Sequence, residues 1–168
     1  MTLSLAIPAE LDHEARGVAR LLEGRGVETA LMAAGAGAAD LTLLVADRGL
    51  PEGVVAILAR EEPRDVVVPA AGYGPTLDDL PPGATVGVLG QRRRGLLLAH
   101  RPDLDALSLG NGRTPGSALE VGLVEAIVVS RSLARREGWA HRISEALEAK
   151  SWMPGAGQGA VAVVRDGA

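Results

Sequence analysis

Residues 85–94 read Thr85-Val86-Gly87-Val88-Leu89-Gly90-Gln91-Arg92-Arg93-Arg94. The apolar beginning predicts a buried strand, and the arginines lie where a helix over 91–99 is predicted to start. Guanidinium groups and the free N–H groups of a helix start favour an anion, and the forked guanidinium suits a carboxylate. This pattern indicates a carboxylate site at Arg92 and Arg93, although a solvated helix start remains a second interpretation.

The same alternation of strand and helix extends in both directions from this stretch. Its order predicts an α/β protein of two small lobes, with lobe one at residues 1–68 plus 154–168 and lobe two at residues 70–150. The chain crosses twice between the lobes, which predicts a hinged cleft. Strands are predicted at 3–7, 27–32, 41–45, 54–58, 66–68, 85–88, 104–109, 126–129 and 160–164, and helices at 11–22, 91–99, 116–121, 130–138 and 139–147.

Composition excludes several classes of protein and site. The 168 residues are 47% hydrophobic, which is ample for a globular core, but they contain neither a long apolar run nor a basic, apolar N-terminal leader. We therefore expect a cytoplasmic protein with no membrane partner. The chain has no cysteine and three widely spaced histidines, so no disulfide and no metal site is predicted. A net charge of −4 predicts no nucleic-acid partner.

Several segments carry a resemblance to one known family. In their order along the chain, they are similar to segments of hydroxymethylbilane synthase, also called porphobilinogen deaminase. The segments are Asp40–Val45, Leu50–Gly53, Arg60–Val68, Leu80–Gly87, Arg92–Arg94, Arg101–Leu104, Ser108–Asn111, Glu125–Val129, Arg135–Gly138 and Pro154–Ala160. The resemblance implies two lobes like those of type 2 periplasmic binding proteins, with the ligand between them.

The resemblance also implies roles for four arginines. Arg92 and Arg93 match the family's paired arginines, which hold the acetate and propionate side chains of the pyrrole substrate. The hydroxyl-bearing residues that precede this pair in the family are replaced at 88–90 by valine, leucine and glycine. Arg136 matches another anion-binding arginine. Arg113 stands near a further one by a shift in its loop, or is a surface residue of a glycine-rich turn.

One carboxylate is the candidate catalytic residue. In the family, the motif His-Ser-x-Lys-Asp-x-Pro follows the strand that corresponds to residues 41–44, and its aspartate assists the loss of ammonia and the condensation. With a gap of one residue, Asp47 takes that position, without the histidine, serine and lysine. The alternative is a surface turn in which Asp47 pairs with Arg48.

The family's dipyrromethane cofactor is joined to a cysteine of a third domain. This chain ends at Ala168 and has no cysteine, so we expect no bound cofactor and no turnover by the isolated chain. Two hypotheses follow. The chain is a porphobilinogen deaminase-like protein of tetrapyrrole biosynthesis, inactive alone, or it is a non-catalytic two-lobed module that binds a small carboxylate, a pyrrole or a partner protein.

Overall fold

Two compact units make up the chain. The computed structural model describes residues 2–34, 36–37, 39–45, 52–110 and 114–165. The first unit comprises Met1–Glu61 with Ala156–Ala168, and the second comprises Glu62–Gly155.

The first unit is built on a five-stranded sheet in the order β2-β1-β3-β10-β4. Helix α1 follows β1, and the β1–β2 pair is parallel, as a strand–helix–strand unit requires. The last strand, β10, returns to this sheet antiparallel to β3 and β4. The elements are β1 (Thr2–Ile7), α1 (Asp12–Glu23), β2 (Glu28–Ala33), β3 (Leu41–Val45), β4 (Val54–Ile57) and β10 (Val161–Arg165).

Helix α1 and its sheet form the core of the first unit. Leu11, Ala15 and Val18 recur at helical spacing and are buried against the sheet. Pro8 precedes the helix with φ −59°. Proline is tolerated at a helix start because the first N–H groups of a helix have no partner within it, so the missing N–H removes no hydrogen bond. The predicted amphipathic helix is therefore present.

The second unit has its own five-stranded sheet, in the order β7-β6-β8-β5-β9. Strands β6, β7 and β8 are parallel, whereas β5 runs antiparallel to β8. The elements are β5 (Asp65–Pro69), β6 (Thr85–Leu89), α2 (Gln91–His100), β7 (Asp105–Leu109), α3 (Pro115–Glu120), β8 (Ala126–Ser130), α4 (Arg131–Arg136) and β9 (Glu145–Ala146).

Both faces of this second sheet are covered. Val67, Val86 and Val128 belong to a cluster on one face, while Val66 and Ile127 belong to a cluster on the other. Central strands covered on both faces are apolar at every position rather than at alternate ones, which is the pattern of residues 66–68 and 126–129.

Two expectations from the sequence differ from the structure. Residues 66–68 were placed in lobe one, but β5 pairs with β8, so the chain enters the second unit at Glu62. The predicted helix over 139–147 is a 3₁₀ turn at Ala140–Arg142 followed by β9. The edge of β5 explains the difference, because backbone N–H groups of this segment donate to its carbonyls, with Leu147 N 2.9 Å from Asp65 O. Short apolar spacings fit either element, and pairing with an open sheet edge decides between them.

No helix in the described part of the chain is both long and apolar enough to span a membrane.

Candidate carboxylate-binding site

The turn between β6 and α2 positions two of the predicted arginines. Gly90 has φ +84° and is the N-cap of α2, so the chain reverses there through a conformation that side chains other than glycine rarely adopt. Arg92 and Arg93 consequently lie in the first turn of the helix, beside the carboxyl edge of β6. The same requirement explains why a hydroxyl-bearing residue at position 90 would be strained.

Asp65 lies at the same edge of the sheet. It is the first residue of β5 and is paired in register with Ser130, the last residue of β8. Because β5 runs antiparallel to β8, its amino end meets the carboxyl ends of β6 and β8. This topology brings a carboxylate that is remote in sequence to the start of α2.

Both arginines converge on the Asp65 carboxylate. Arg92 Nη2 lies 2.6 Å from Oδ2, whereas Arg93 donates to Oδ1 from Nε at 3.0 Å and from Nη2 at 2.9 Å. The indole Nε1 of Trp152 donates to Oδ2 at 3.0 Å. The Asp65 side chain is fully buried, and its carboxylate therefore exchanges water for charged and indole donors.

The two arginines differ in their surroundings. Arg93 is 14% exposed and also donates from Nη1 to the carbonyl of Leu89, at the end of β6. Arg92 is 32% exposed and donates from Nη1 to the carbonyl of Met153. Arg93 therefore links Asp65 to the end of β6 from a nearly buried position, whereas the Arg92 side chain is about one-third exposed.

The surroundings of Asp65 favour the ionised form of its carboxyl group. Burial alone raises the pKa of Asp65, but the charges and hydrogen bonds of Arg93 and Arg92 outweigh it and hold that pKa below its usual range. The carboxylate is therefore ionised at neutral pH, and two guanidinium charges surround one carboxylate charge. Two guanidinium groups at one strand–helix turn form a cationic cluster of the kind that suits a carboxylate.

Three further site residues were predicted from the sequence. Arg136 is the last residue of α4, a different helix, whose start is capped by the Ser130 hydroxyl. Asp47 and Arg113 lie outside the described residues. Of the predicted residues, the structure thus brings Arg92 and Arg93 together around Asp65.

Arg101 begins one of the segments on which the family resemblance rests, and its contacts are structural. Its Nη1 lies 2.7 Å from the carbonyl oxygen of Leu77 and its Nη2 3.0 Å from that of Leu80. It also pairs with Asp103, at 2.6 Å. Arg101 therefore stabilises the segment that precedes β6, and none of these three contacts involves Asp65.

Sequence reasoning missed Asp65 and Trp152. One signal was available for Asp65, because it opens a wholly apolar strand, 66–68, and a charge beside such a run needs a partner once the strand is buried. No comparable signal marks Trp152, since its partner is fixed by the tertiary fold. In the described part of the chain, no group of three or more histidine, aspartate or glutamate residues is arranged to hold a metal ion.

Comparison with known proteins gives a consistent result. Residues 46–167 match the sequence model of a family described as porphobilinogen deaminase, dipyromethane cofactor binding domain. A porphobilinogen deaminase of Syntrophobacter fumaroxidans is 38% identical over 117 residues, which cover 68% of this chain and 37% of that protein. That of Stenotrophomonas maltophilia is 41% identical over 118 residues, which cover 70% of this chain and 38% of that protein. The chain thus spans little more than a third of the length of these relatives.

Solved structures resemble the fold over nearly the whole chain. A putative methionine-binding lipoprotein of Bacillus subtilis has a TM-score of 0.61 at 14% identity, covering 99% of this chain and 84% of that one. The periplasmic VFT2 domain of Bordetella pertussis BvgS has a TM-score of 0.59 at 17% identity, covering 98% of this chain and 80% of that one. At these identities the likeness concerns the fold alone. The predicted α/β class and the likeness to periplasmic binding proteins are confirmed.

Proposed function

This chain belongs to the porphobilinogen deaminase family, and we propose that it serves tetrapyrrole biosynthesis by binding an anionic pyrrole at Arg92. The observation that carries this proposal is the convergence of Arg92 and Arg93 on the buried carboxylate of Asp65. It supports a rigid cationic receptor, and the acetate or propionate arm of a pyrrole is a suitable ligand for it. A cytoplasmic location is part of the proposal.

Rigidity is the second argument for binding. A free arginine side chain has many rotamers, and holding it for a ligand costs conformational entropy. Here that entropy is already lost when the chain folds, because Asp65 holds both guanidinium groups. The carbonyl oxygens of Met153 and Leu89 also accept hydrogen bonds from Arg92 Nη1 and Arg93 Nη1, respectively. Preorganised groups of this kind bind a carboxylate with less loss of entropy at the moment of binding.

Turnover is not part of the proposed activity of these 168 residues. The matched family domain is described as the cofactor-binding one, but the chain contains no cysteine to which a dipyrromethane could be joined. The donor set also fits the cofactor poorly, since Val88, Leu89 and Gly90 supply no hydroxyl beside the arginines. Asp47 remains the predicted catalytic carboxylate, and the proposal assigns it no step.

A binding module without a role in tetrapyrrole synthesis is the second candidate. The likeness in fold to a lipoprotein of Bacillus subtilis favours it, because that protein is described as a putative methionine-binding one. In this alternative, Arg92 holds the carboxylate of another small molecule, or the chain binds a partner protein. The two candidates differ in the ligand that binds best.

Calorimetric titration separates the candidates. Porphobilinogen and a panel of small carboxylates, including methionine and glutarate, would be titrated into the chain and into Arg92→Gln. We expect saturable binding of porphobilinogen that weakens at least tenfold in the variant, the change corresponding to a lost charged hydrogen bond of about 1.5–3 kcal/mol. Porphobilinogen consumption and intact mass would be followed in parallel, and we expect no product and no pyrrole adduct. Binding of another carboxylate but not of porphobilinogen would support the second candidate, whereas turnover above a control without protein would contradict the inactive assignment.

A further inference from the structure

Helix α1 leaves part of the sheet face on which it packs uncovered. Leu5 and Ile7 of β1 pack with the helix, and parallel pairing places Leu31 beside Leu5 and Ala33 beside Ile7 on that same face. Every residue of β2 is nevertheless at least partly exposed, and Leu31 is 37% exposed. A large apolar side chain that faces the helix layer and still meets solvent indicates a gap between α1 and this edge strand.

The gap is a groove of about 290 Å³, which we call the α1–β2 groove. Ile7, Leu31 and Ala33 line it from the sheet, and Asp12 and Arg16 line it from the helix. Its volume is close to the lower end of sites that hold small molecules, about 300 Å³. All five residues belong to the first unit, so the groove is described within that unit alone.

Two opposite charges line the groove one helical turn apart. Arg16 Nε donates to Asp12 Oδ2 at 2.8 Å, and the two side chains are 61% and 55% exposed. Within the described part of the chain, Arg16 Nη1 and Nη2 and Asp12 Oδ1 have no hydrogen-bond partner. An exposed pair at this spacing contributes little to the stability of a helix, so both groups can meet a ligand at small cost to the fold.

The signs of these two charges select the kind of ligand. A simple carboxylate attracted to Arg16 is repelled by Asp12, and a simple amine attracted to Asp12 is repelled by Arg16. A molecule that carries both an ammonium and a carboxylate group is attracted by both residues, and the guanidinium fork suits its carboxylate. The apolar residues of the sheet favour a hydrocarbon side chain on the same molecule.

We propose that the α1–β2 groove binds a small zwitterion with an apolar side chain, of which an aliphatic amino acid such as leucine is the simplest example. Arg16 holds the carboxylate through Nη1 and Nη2, Asp12 Oδ1 accepts from the ammonium group, and the hydrocarbon packs on Leu31. The groove lies in the first unit, whereas Arg92 and Arg93 belong to the second, so this proposal does not rest on the proposed function.

Calorimetric titration with leucine and three analogues tests the proposal. The analogue 4-methylpentanoate lacks the ammonium group, 3-methylbutylamine lacks the carboxylate, and glycine lacks the hydrocarbon side chain. We expect leucine to bind saturably and each analogue to bind at least tenfold more weakly. Absence of leucine binding, or binding of 4-methylpentanoate as tight as that of leucine, would overturn the proposal.

Two variants of the exposed pair should change selectivity in a way that a structural role would not. Asp12→Asn should weaken leucine binding at least tenfold but strengthen 4-methylpentanoate binding, because the repulsion of its carboxylate is removed. Arg16→Gln should weaken the binding of both. Arg20→Gln is the matched control, since Arg20 is an exposed arginine one turn further along α1 and is not among the residues that line the groove. Equal effects of Arg16→Gln and Arg20→Gln would contradict the proposal.

The ε-methyl resonances of two methionines locate the bound leucine. Met32 lines the groove, whereas Met153 belongs to the second unit and serves as a reference. Leucine should move the Met32 resonance saturably in wild type and should leave it in place in Arg16→Gln. Movement of Met153 in place of Met32 would point to Arg92, whose Nη1 donates to the Met153 carbonyl, and would contradict the proposal.

Discussion

The indole Nε1 of Trp152 donates a 3.0 Å hydrogen bond to the carboxylate of Asp65, a residue 87 positions earlier in the chain. The bond ties the last segment of the second unit to the first residue of its strand β5. Because the same carboxylate accepts from Arg92 and Arg93, this contact joins the stability of the second unit to the geometry of the site.

Stability should depend on the ionisation of Asp65. Its pKa in the folded chain is lowered by Arg93 and Arg92, despite the opposing effect of burial. The stabilisation from the ionised Asp65 carboxylate is therefore fully present above the pKa that this group has in the unfolded chain, about 3.9. It is lost as pH falls through the lower pKa that the group has in the folded chain. We expect the free energy of unfolding to decrease as pH is lowered below about 4, measured by urea denaturation.

Asp65→Asn is the control for this pH effect. It lacks the titrating group, so its difference in stability from wild type should be large at pH 7 and should shrink in acid. A difference that is independent of pH would show that Asp65 does not carry the effect.

The two arginines should differ in their contribution to stability. Arg93→Gln leaves a buried carboxylate short of its main partner, and breaking a buried pair costs about 3–5 kcal/mol. Arg92 is more exposed, so Arg92→Gln should cost less, about 1–3 kcal/mol. Chemical denaturation of both variants measures the difference. Equal costs, or a larger cost for Arg92, would contradict the division into support and ligand contact.

Arg101 should be important for folding and not for binding. Arg101→Gln removes donors to the carbonyls of Leu77 and Leu80 and the pair with Asp103, which predicts a loss of about 1.5–3 kcal/mol. Arg94→Gln is the matched control, because Arg94 is an exposed arginine of α2, the helix that Arg101 follows, and should change stability by less than about 0.5 kcal/mol. Calorimetry should give the same affinity for porphobilinogen in both variants. A clear loss of affinity in Arg101→Gln at unchanged stability would place Arg101 in the binding site.

Two glycines test the packing of the second unit. A Cβ at Gly87 would lie 2.7 Å from Leu109 Cδ1 and 3.1 Å from Ile127 Cγ2, so Gly87→Ala should destabilise by about 1–3 kcal/mol. Gly95 lies within α2 with open space at its Cβ position, so Gly95→Ala should stabilise by about 0.5–1 kcal/mol. Thermal unfolding of the two variants should therefore shift in opposite directions. A neutral Gly87→Ala would show that Leu109 and Ile127 can move aside.

Local patterns in the sequence predicted most elements but not all partners. The apolar strands and the amphipathic helix α1 were predictable because burial of one face or of both faces imposes a spacing of apolar residues that is visible in the sequence. Membership of β5 in the second sheet was not, since Val66–Val68 would suit the centre of either sheet and only pairing with β8 decides. Strand β9 was missed for a similar reason, because two paired residues have no period of their own.

The candidate site shows the same limit. Arg92 and Arg93 were predictable because they stand together in sequence at a strand–helix turn. Their partner Asp65 was not, since the contact depends on β5 running antiparallel to β8. The sequence thus indicated the cationic half of the site, while the fold supplies the carboxylate that holds both arginines.

The most direct test of the central claim is a porphobilinogen titration followed by the indole N–H resonances of the two tryptophans. Trp152 is hydrogen-bonded to Asp65, whereas Trp139 lies against Gly116 and serves as an internal reference. If Arg92 holds the ligand carboxylate beside the Asp65–Arg93 pair, the Trp152 resonance should move saturably, the Trp139 resonance should move less, and Arg92→Gln should abolish the effect. A Trp152 resonance that stays in place at saturating porphobilinogen, or that moves equally in Arg92→Gln, would contradict the account.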